Sequence, residues 1–212
     1  MENYPLLGVR VSTPRLELRG ATDELLDELA PTVRAGKTHA EPAPYDDPMS
    51  FYEPDPDIRV AKWLRAIWRR RGTVEPGTWR LYFVVVIDGR PVGEQTLTGV
   101  DFSALRTVST FSWLSVDERG GGLGREMRAA ILHLAFEGLD AREASSDAFV
   151  DNVGSNAISE GLGYSPNGFE WATRQGEPAL LNRWRLTSEA WERGRRDDIE
   201  LHNVAACREL MV

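Results

Sequence analysis

Residues 107–136, TVSTFSWLSVDERGGGLGREMRAAILHLAF, change character twice. An alternating stretch ends near Val116, glycines follow at 120, 121, 122 and 124, and then Leu123, Met127, Ile131 and Leu134 recur at helical spacing. A period of two followed by a period of 3.6 marks a strand that feeds a helix. A helix with one apolar face has to cover a sheet or another helix, so this junction demands a layered α/β fold. Glycines at such a turn let the backbone take positive φ and approach a ligand, while the first helical N–H groups point outward without acceptors. That arrangement suits an anion such as a pyrophosphate. On glycine count alone, a plain flexible joint explains it equally well.

The rest of the chain alternates strand and helix signals. RLELR at 15–19 reads as a first strand, and TDELLDELAPTVRAG at 22–36 as a helix with Leu25, Leu26, Leu29 and Val33 on one face, stopped by Gly36. Residues 41–57 hold five prolines and six acidic side chains and read as an exposed loop. Asp55 and Pro56 then open a helix that carries Val60, Leu64, Ile67 and Trp68 inward and ends in RRRG. WRLYFVVVIDG and RPVGEQTLTG form a hairpin through Asp88-Gly89, a favoured two-residue turn. After the crossover helix come a strand at 143–150, a short helix at 156–163 and a late strand at 179–187. The predicted fold is a single α/β domain over 1–212: a mixed, mostly antiparallel sheet flanked by helices, with a core of about 12–187 and a C-terminal extension at 188–212. The tail is expected to add a final strand at a contact between two copies of the chain. Most of the seven tryptophans are expected in the core.

Charge and composition narrow the chemistry. The net charge of −8 disfavours nucleic acid as a partner. A single cysteine, Cys207, and three scattered histidines, His39, His133 and His202, offer no disulfide and no metal-ligand spacing, so no metal is expected. The N-terminus lacks the layout of a signal peptide, and no stretch approaches the roughly 20 apolar residues that span a bilayer. A cytoplasmic protein without membrane contact is the expectation.

Two nucleotide motifs fail on inspection. In G-x-G-x-x-G the last position falls on Arg125 or Met127, and the Gly-Lys-Thr at 36–38 has Pro31 where a P-loop needs its first glycine. R-x-x-G-x-G does fit, as Arg119, Gly122 and Gly124. A second element, DNVGSNAISEGLGY at 151–164, supplies Asn152, Ser155, Asn156, Ala157, Gly163 and Tyr164. In these two elements the chain resembles the GCN5-related N-acetyltransferase (GNAT) superfamily, and its RimJ/RimL-like branch in particular.

The resemblance implies an acyl-CoA-dependent N-acyltransferase that moves an acetyl group from acetyl-CoA to a primary amine by direct attack. The acceptor would be a protein N-terminus, a lysine or a small-molecule amine. It further implies that Gly120, Gly121, Gly122, Leu123, Gly124 and Arg125 hold the pyrophosphate together with Arg119, and that the strand ending in Leu114 and Val116 pairs with the pantetheine arm. The N–H of Leu114 would face the thioester oxygen, Asn152 would contact pantetheine, and Ser155 would lie near the sulfur. Each has an ordinary alternative: Asn152 as a helix cap, Ser155 in a first-turn hydrogen bond. The chain also departs from the pattern. The tyrosine that many members carry four residues after Ser155 is Ser159, and the glutamate common before the loop is replaced by Ser109 or Thr110. Glu94 is the nearest substitute base, with Asp101 another; solvated surface is the ordinary reading of both. Trp113 is expected at the acceptor pocket, Arg69–Arg71 as a complement to a helix dipole, and His133 in a structural place. Two further readings stay open: a longer acyl donor such as succinyl-CoA, and a CoA-binding module without catalysis.

Overall fold

The computed structural model describes residues 3–45 and 51–211, so residues 46–50 of the expected acidic loop lie outside the described residues. After a 3-10 turn at Pro5–Gly8 come β1 (Arg10–Ser12), β2 (Glu17–Gly20), α1 (Asp23–Arg34), α2 (Pro56–Arg71), β3 (Trp79–Ile87) and β4 (Arg90–Gly99). Then follow α3 (Phe102–Leu105), β5 (Thr107–Leu114), α4 (Leu123–His133) with a π-turn extension over Leu134–Gly138, and β6 (Glu143–Phe149). The chain continues through α5 (Val153–Gly161), β7 (Ser165–Arg174), β8 (Glu177–Thr187), α6 (Ser188–Arg193), β9 (Glu200–His202) and α7 (Ala205–Met211).

One nine-stranded sheet runs in the order β7-β8-β6-β5-β4-β3-β2-β1-β9. Every neighbouring pair is antiparallel except β5 and β6, which α4 connects by a crossover. Asp88 and Gly89 both take positive φ, 49° and 76°, as a primed hairpin turn between β3 and β4 requires. Thr22 and Asp55 cap α1 and α2 through their side chains, each worth about 1 kcal/mol.

The sheet has a separate core on each face. Leu18, Leu81, Phe83, Leu97 and Val108 meet Met127, Ala130, Ile131 and Leu134 of α4 and its extension. On the other face Tyr82, Val84 and Trp113 meet Leu26, Leu29 and Val33 of α1 with Val60, Trp63 and Ile67 of α2. Full burial of each such aliphatic or aromatic side chain contributes about 1.5–3 kcal/mol. A bulge in β4 redistributes its side chains: Val85 opposes Gly93 and Val86 opposes Pro91, which leaves Val92 as the extra residue. Val92 then joins the α4 side, and Glu94 turns toward α2, where Trp63 binds it.

Several local expectations need correction. Trp68 is 47% exposed and Trp171 71% exposed, so neither is core; Trp68 Nε1 instead donates to Asp23 at 3.1 Å. Trp63, one turn earlier on α2, is the fully buried tryptophan there. The tail forms only the three-residue β9 before turning into α7. β1 and β7 were not anticipated: β1 has three residues, and β7 buries almost no side chain, so it has no apolar alternation to read. Among the described residues no helix is long and apolar enough to cross a membrane.

Candidate active site

Strands β5 and β6 pair only over Thr107↔Glu143, Val108↔Ala144 and Ser109↔Ser145. Beyond that point they diverge, and residues 110–114 keep β4 on one side with no strand on the other. The phase of the backbone is fixed by Ser115, whose N–H donates to Val92 O at 2.8 Å. Amide direction alternates along a strand, so the N–H groups of Phe111 and Trp113 also face β4, and those of Ser112 and Leu114 face the gap. A cavity of about 500 Å³ occupies this gap, with Thr110, Ser112, Leu114, Ser146, Asn152 and Ser155 among its walls.

The glycine run closes the open end of the gap. Gly120 and Gly122 take φ of +86° and +80°, and Gly122 is the N-cap of α4 with no side-chain cap. The first intrahelical bond is Glu126 N–H to Gly122 O at 3.2 Å, so the N–H groups of Leu123, Gly124 and Arg125 precede any helical acceptor. A Cβ on Gly124 would lie 3.2 Å from Ile158 Cδ1, which shows how tightly α5 packs against this turn. Three donors and the positive end of α4 therefore form an anion cradle.

A salt bridge that the sequence reading missed fixes the cradle. Arg15 Nη1 donates to Gly121 O at 2.9 Å, and Arg15 Nε donates to Glu126 Oε2 at 2.6 Å. Thr13 Oγ1 donates to Glu126 Oε1 at 2.6 Å. Burial alone would push the Glu126 carboxyl up, but the Thr13 and Arg15 hydrogen bonds outweigh it and hold it below the ordinary range. The available signal was an acid beside the apolar stripe of α4, at a position that faces inward.

The acetyltransferase (GNAT) domain family model matches residues 15–165, most of the chain and all of this cleft. The chain belongs to the GNAT acetyltransferase family. Solved structures with the same fold include Mycobacterium smegmatis RimJ in complex with CoA-disulfide, at 20% identity and a TM-score of 0.72, covering 89% of this chain and 94% of that one. RimL, the ribosomal L7/L12 alpha-N-protein acetyltransferase in complex with coenzyme A, matches at 17% identity and 0.64, covering 84% and 97%. A putative ribosomal-protein-serine acetyltransferase from Vibrio cholerae matches at 19% identity and 0.64, with the same coverages.

Within this GNAT chain the residues singled out from sequence divide into two groups. Leu123, Gly124 and Arg125 present the free N–H groups of the turn; Gly120, Gly122, Gly124 and Arg125 line the cavity together with Leu114, Asn152 and Ser155, whereas Gly121 and Leu123 do not. Val116 lies outside the cavity lining, and Arg119, which does line the cavity, spends its donors on backbone carbonyls. Arg119 donates from its guanidinium to Leu114 O, His39 O and Thr38 O, each at 3.0 Å, and its N–H to Val116 O. The Val116 N–H donates to Lys37 O at 2.9 Å. Both residues therefore tie the turn after α1 to the end of β5. Asn152 does cap α5, its Oδ1 accepting from Ser155 N at 3.1 Å, and its Nδ2 reaches Pro44 O at 3.4 Å. Asn156 is a strut that accepts from Asn182 Nδ2 and Trp184 Nε1. Arg125 Nη2 donates to Gly161 O at 2.6 Å.

Glu94 lies beside the cavity and is not among the residues lining it. It is fully buried next to Trp113, its cross-strand partner, which does line the cavity. Trp63 Nε1 donates to Glu94 Oε2 at 3.0 Å, while Glu94 Oε1 has no partner among the described residues. Burial pushes the carboxyl up to about 7, against smaller opposing effects of Trp63, Trp113 and Arg80. Asp101 sits exposed in the turn before α3. Arg71 is bound to Asp23 and Ala21 O, and His133 is buried against Trp191. A second groove of about 530 Å³ shares Gly122 and Arg125 with the first cavity and carries Arg15, Arg193 and Arg196.

Proposed function

We propose that this chain transfers the acetyl group of acetyl-CoA to a primary amine by direct attack, with the donor lying in the gap between β5 and β6. One observation carries the reading: the gap has unpaired strand N–H groups along one wall and an uncapped helix N-terminus at its mouth. The cradle at 120–125 fits a pyrophosphate through backbone donors, and Ser112 and Leu114 offer N–H groups to an extended amide-bearing arm. The arginines of the second groove give the nucleotide end a cationic setting.

An alkylammonium has no lone pair for attack, so a proton has to leave. Glu94, poised near neutrality, is the base, and with Trp113 between its strand and the cavity the proton travels through ordered water. As the amine attacks, negative charge grows on the thioester oxygen, and the gap-facing N–H of Ser112, one step inward of Leu114 along β5, donates to it, which leaves Leu114 to the arm. Ser155 stands on the cavity wall near the sulfur. The acceptor is an amine presented from the α1–α2 side, where Tyr45, Phe111 and Trp113 line the wall. RimL, a protein that acetylates an N-terminal α-amine by its description, makes protein N-termini the first acceptors to try.

Thiol release from acetyl-CoA across a panel of peptides, lysine and small amines tests the reading. Turnover on at least one class of amine is expected. Tight CoA binding without turnover on any acceptor would overturn catalysis and leave a CoA-binding module.

A further inference from the structure

The cavity's inner end contains a buried cation that no part of the mechanism above employs. Arg128, on α4, is 6% exposed and borders the cavity beside Thr110 and Ser146. Its Nη1 donates to Ser146 Oγ at 3.0 Å and to Ser159 Oγ at 3.4 Å, its Nε is enclosed without a partner, and no carboxylate lies within ion-pair distance among the described residues. Two enclosed hydroxyls, Thr110 Oγ1 and Tyr164 Oη, stand next to it without a well-formed hydrogen bond among the described residues; burial raises the Tyr164 phenol, and Arg128 and Thr110 are close enough that both lower it. Arg59, the other buried arginine, is satisfied by four backbone carbonyls: Glu53, Pro54, Val33 and Arg34. A buried guanidinium held only by neutral hydroxyls, with its Nε unused, keeps a desolvated charge that an anion would stabilise.

Resting on the acyltransferase reading, we propose that Arg128 is a catalytic residue that receives the negative charge developing on the donor sulfur as the thioester is cleaved. The position follows from the cleft. An arm anchored by its pyrophosphate at 120–125 and extended along β5 from Leu114 toward Thr110 carries its sulfur away from the loop, toward the point where β5 and β6 rejoin at Ser109 and Ser145. Arg128, Thr110 and Ser146 stand at that end. The amine nitrogen forms a bond to the carbonyl carbon, the carbon–sulfur bond breaks, and the bonding pair leaves on sulfur. The ammonium proton departs toward Glu94 on the opposite face of the sheet. The sulfur leaves as a thiolate paired with Arg128, and protonation follows in water after release. Ser159, too short to act as an acid, contributes its hydroxyl to holding the guanidinium.

The test needs no acceptor. The thiol of CoA bound to the whole protein is titrated by the ultraviolet absorbance of its thiolate, in wild type and in Arg128→Gln. In wild type the bound thiol is expected to titrate about one to three units below free CoA, the range for a cation at close approach. In Arg128→Gln it returns to the free value or above, and Arg128→Lys restores part of the shift. With any productive amine, kcat of Arg128→Gln falls about 10²–10³-fold while KM for acetyl-CoA changes little, as for loss of one donor to a developing anion. A wild-type thiol that titrates as it does in solution overturns the proposal, and this arm decides alone should the variant lose its fold. An unshifted thiol combined with selective loss of succinyl-CoA use in Arg128→Gln also overturns it, by making Arg128 a reader of the acyl chain. Failure to bind CoA at all would instead bring down the acyltransferase reading and this inference with it.

Discussion

Beside the cleft, each face of the sheet buries one ionisable side chain that has no counter-ion among the described residues, an acid on one face and a base on the other. On the α1–α2 face Glu94 has a single indole donor and a carboxyl raised to about 7; on the α4–α5 face Arg128 has two serine hydroxyls and an unpartnered Nε. β5 runs between them, with Trp113 on the first side and Thr110 on the second. Neither charge adds to stability, because each is desolvated without the attraction that would offset it. Under the proposed mechanism the pair divides the labour: one side of the strand draws a proton from the amine, and the other accepts the electron pair that leaves on sulfur. The comparison also explains why the splay matters, since only a gap in the sheet lets one substrate meet both faces.

The largest effect is expected where the cofactor side alone is destroyed. Gly122→Val places a β-branched residue at φ +80°, where such side chains are strongly disfavoured, and the N–H groups of the cradle lose their aim. CoA affinity should fall about ten-thousandfold, the equivalent of ~5.5 kcal/mol from ~1 kcal/mol of strain and ~1.5 kcal/mol for each of three lost donors. Calorimetry of CoA binding measures it. Unchanged affinity would remove the cradle from the cofactor side and break the comparison outright.

Glu94→Gln attacks the other face. As the base, its loss should lower kcat about 10²–10⁴-fold and abolish the acid limb of the rate profile near pH 7, while CoA affinity stays the same. Stability should move in the opposite direction. The folded-state pKa lies above the unfolded one, so the native state holds the extra proton between about pH 4.5 and 7, and wild-type stability falls as pH rises through that window. The glutamine variant lacks this slope and becomes the more stable protein above pH 7. Denaturant unfolding of both across pH 4–9 checks the sign; parallel curves would show that Glu94 titrates normally.

Between the faces runs a tie that can be cut separately. Arg119 clamps Leu114 O, at the cofactor strand, to Thr38 O and His39 O, at the wall on the acceptor side. Arg119→Lys cannot span three carbonyls with one ammonium. The acceptor wall should loosen, raising KM for the amine about tenfold, in line with one lost charged hydrogen bond of ~1.5 kcal/mol. CoA affinity should change by less than about threefold, because the cradle's own donors remain. Equal losses for both substrates would mean that Arg119 holds the cofactor directly.

How much of this was readable in the sequence depends on which atoms carry the function. The crossover, the hairpin at Asp88-Gly89 and the glycine cradle were legible because period, turn chemistry and glycine placement are local signals. Asn152 and Ser155 stood out only through the family resemblance, and the fold brings both to the cavity wall. What Arg119 does was not legible, because its three acceptors are backbone carbonyls, two of them about eighty positions away. Nothing in the sequence singles out Arg128, and only the packing of α4 over Ser146 and Ser159 shows it buried. Glu94 is singled out as the acid on the strand before β5. The bulge at Val92, invisible in the pattern, is what turns it toward Trp63. β7 was missed because a strand exposed on both faces leaves no apolar period.

The smallest effect separates two jobs held by one side chain. Asn152 Oδ1 caps α5 at Ser155 N, and its Nδ2 reaches Pro44 O on the acceptor wall. Asn152→Ala removes both and should cost about 1 kcal/mol of stability, the usual worth of a cap. Asn152→Asp keeps the acceptor for Ser155 N and adds a favourable charge at the helix N-terminus, so stability should stay near wild type. It removes the donor to Pro44 O, and it sets a carboxylate against the cavity that receives the donor's arm. If the cap is the whole role, Asp behaves as wild type in both stability and kinetics. If the tie across the cavity matters as well, Asp retains stability yet raises KM for both substrates a few fold, because Asn152, like Arg119, joins the cofactor side to the acceptor wall.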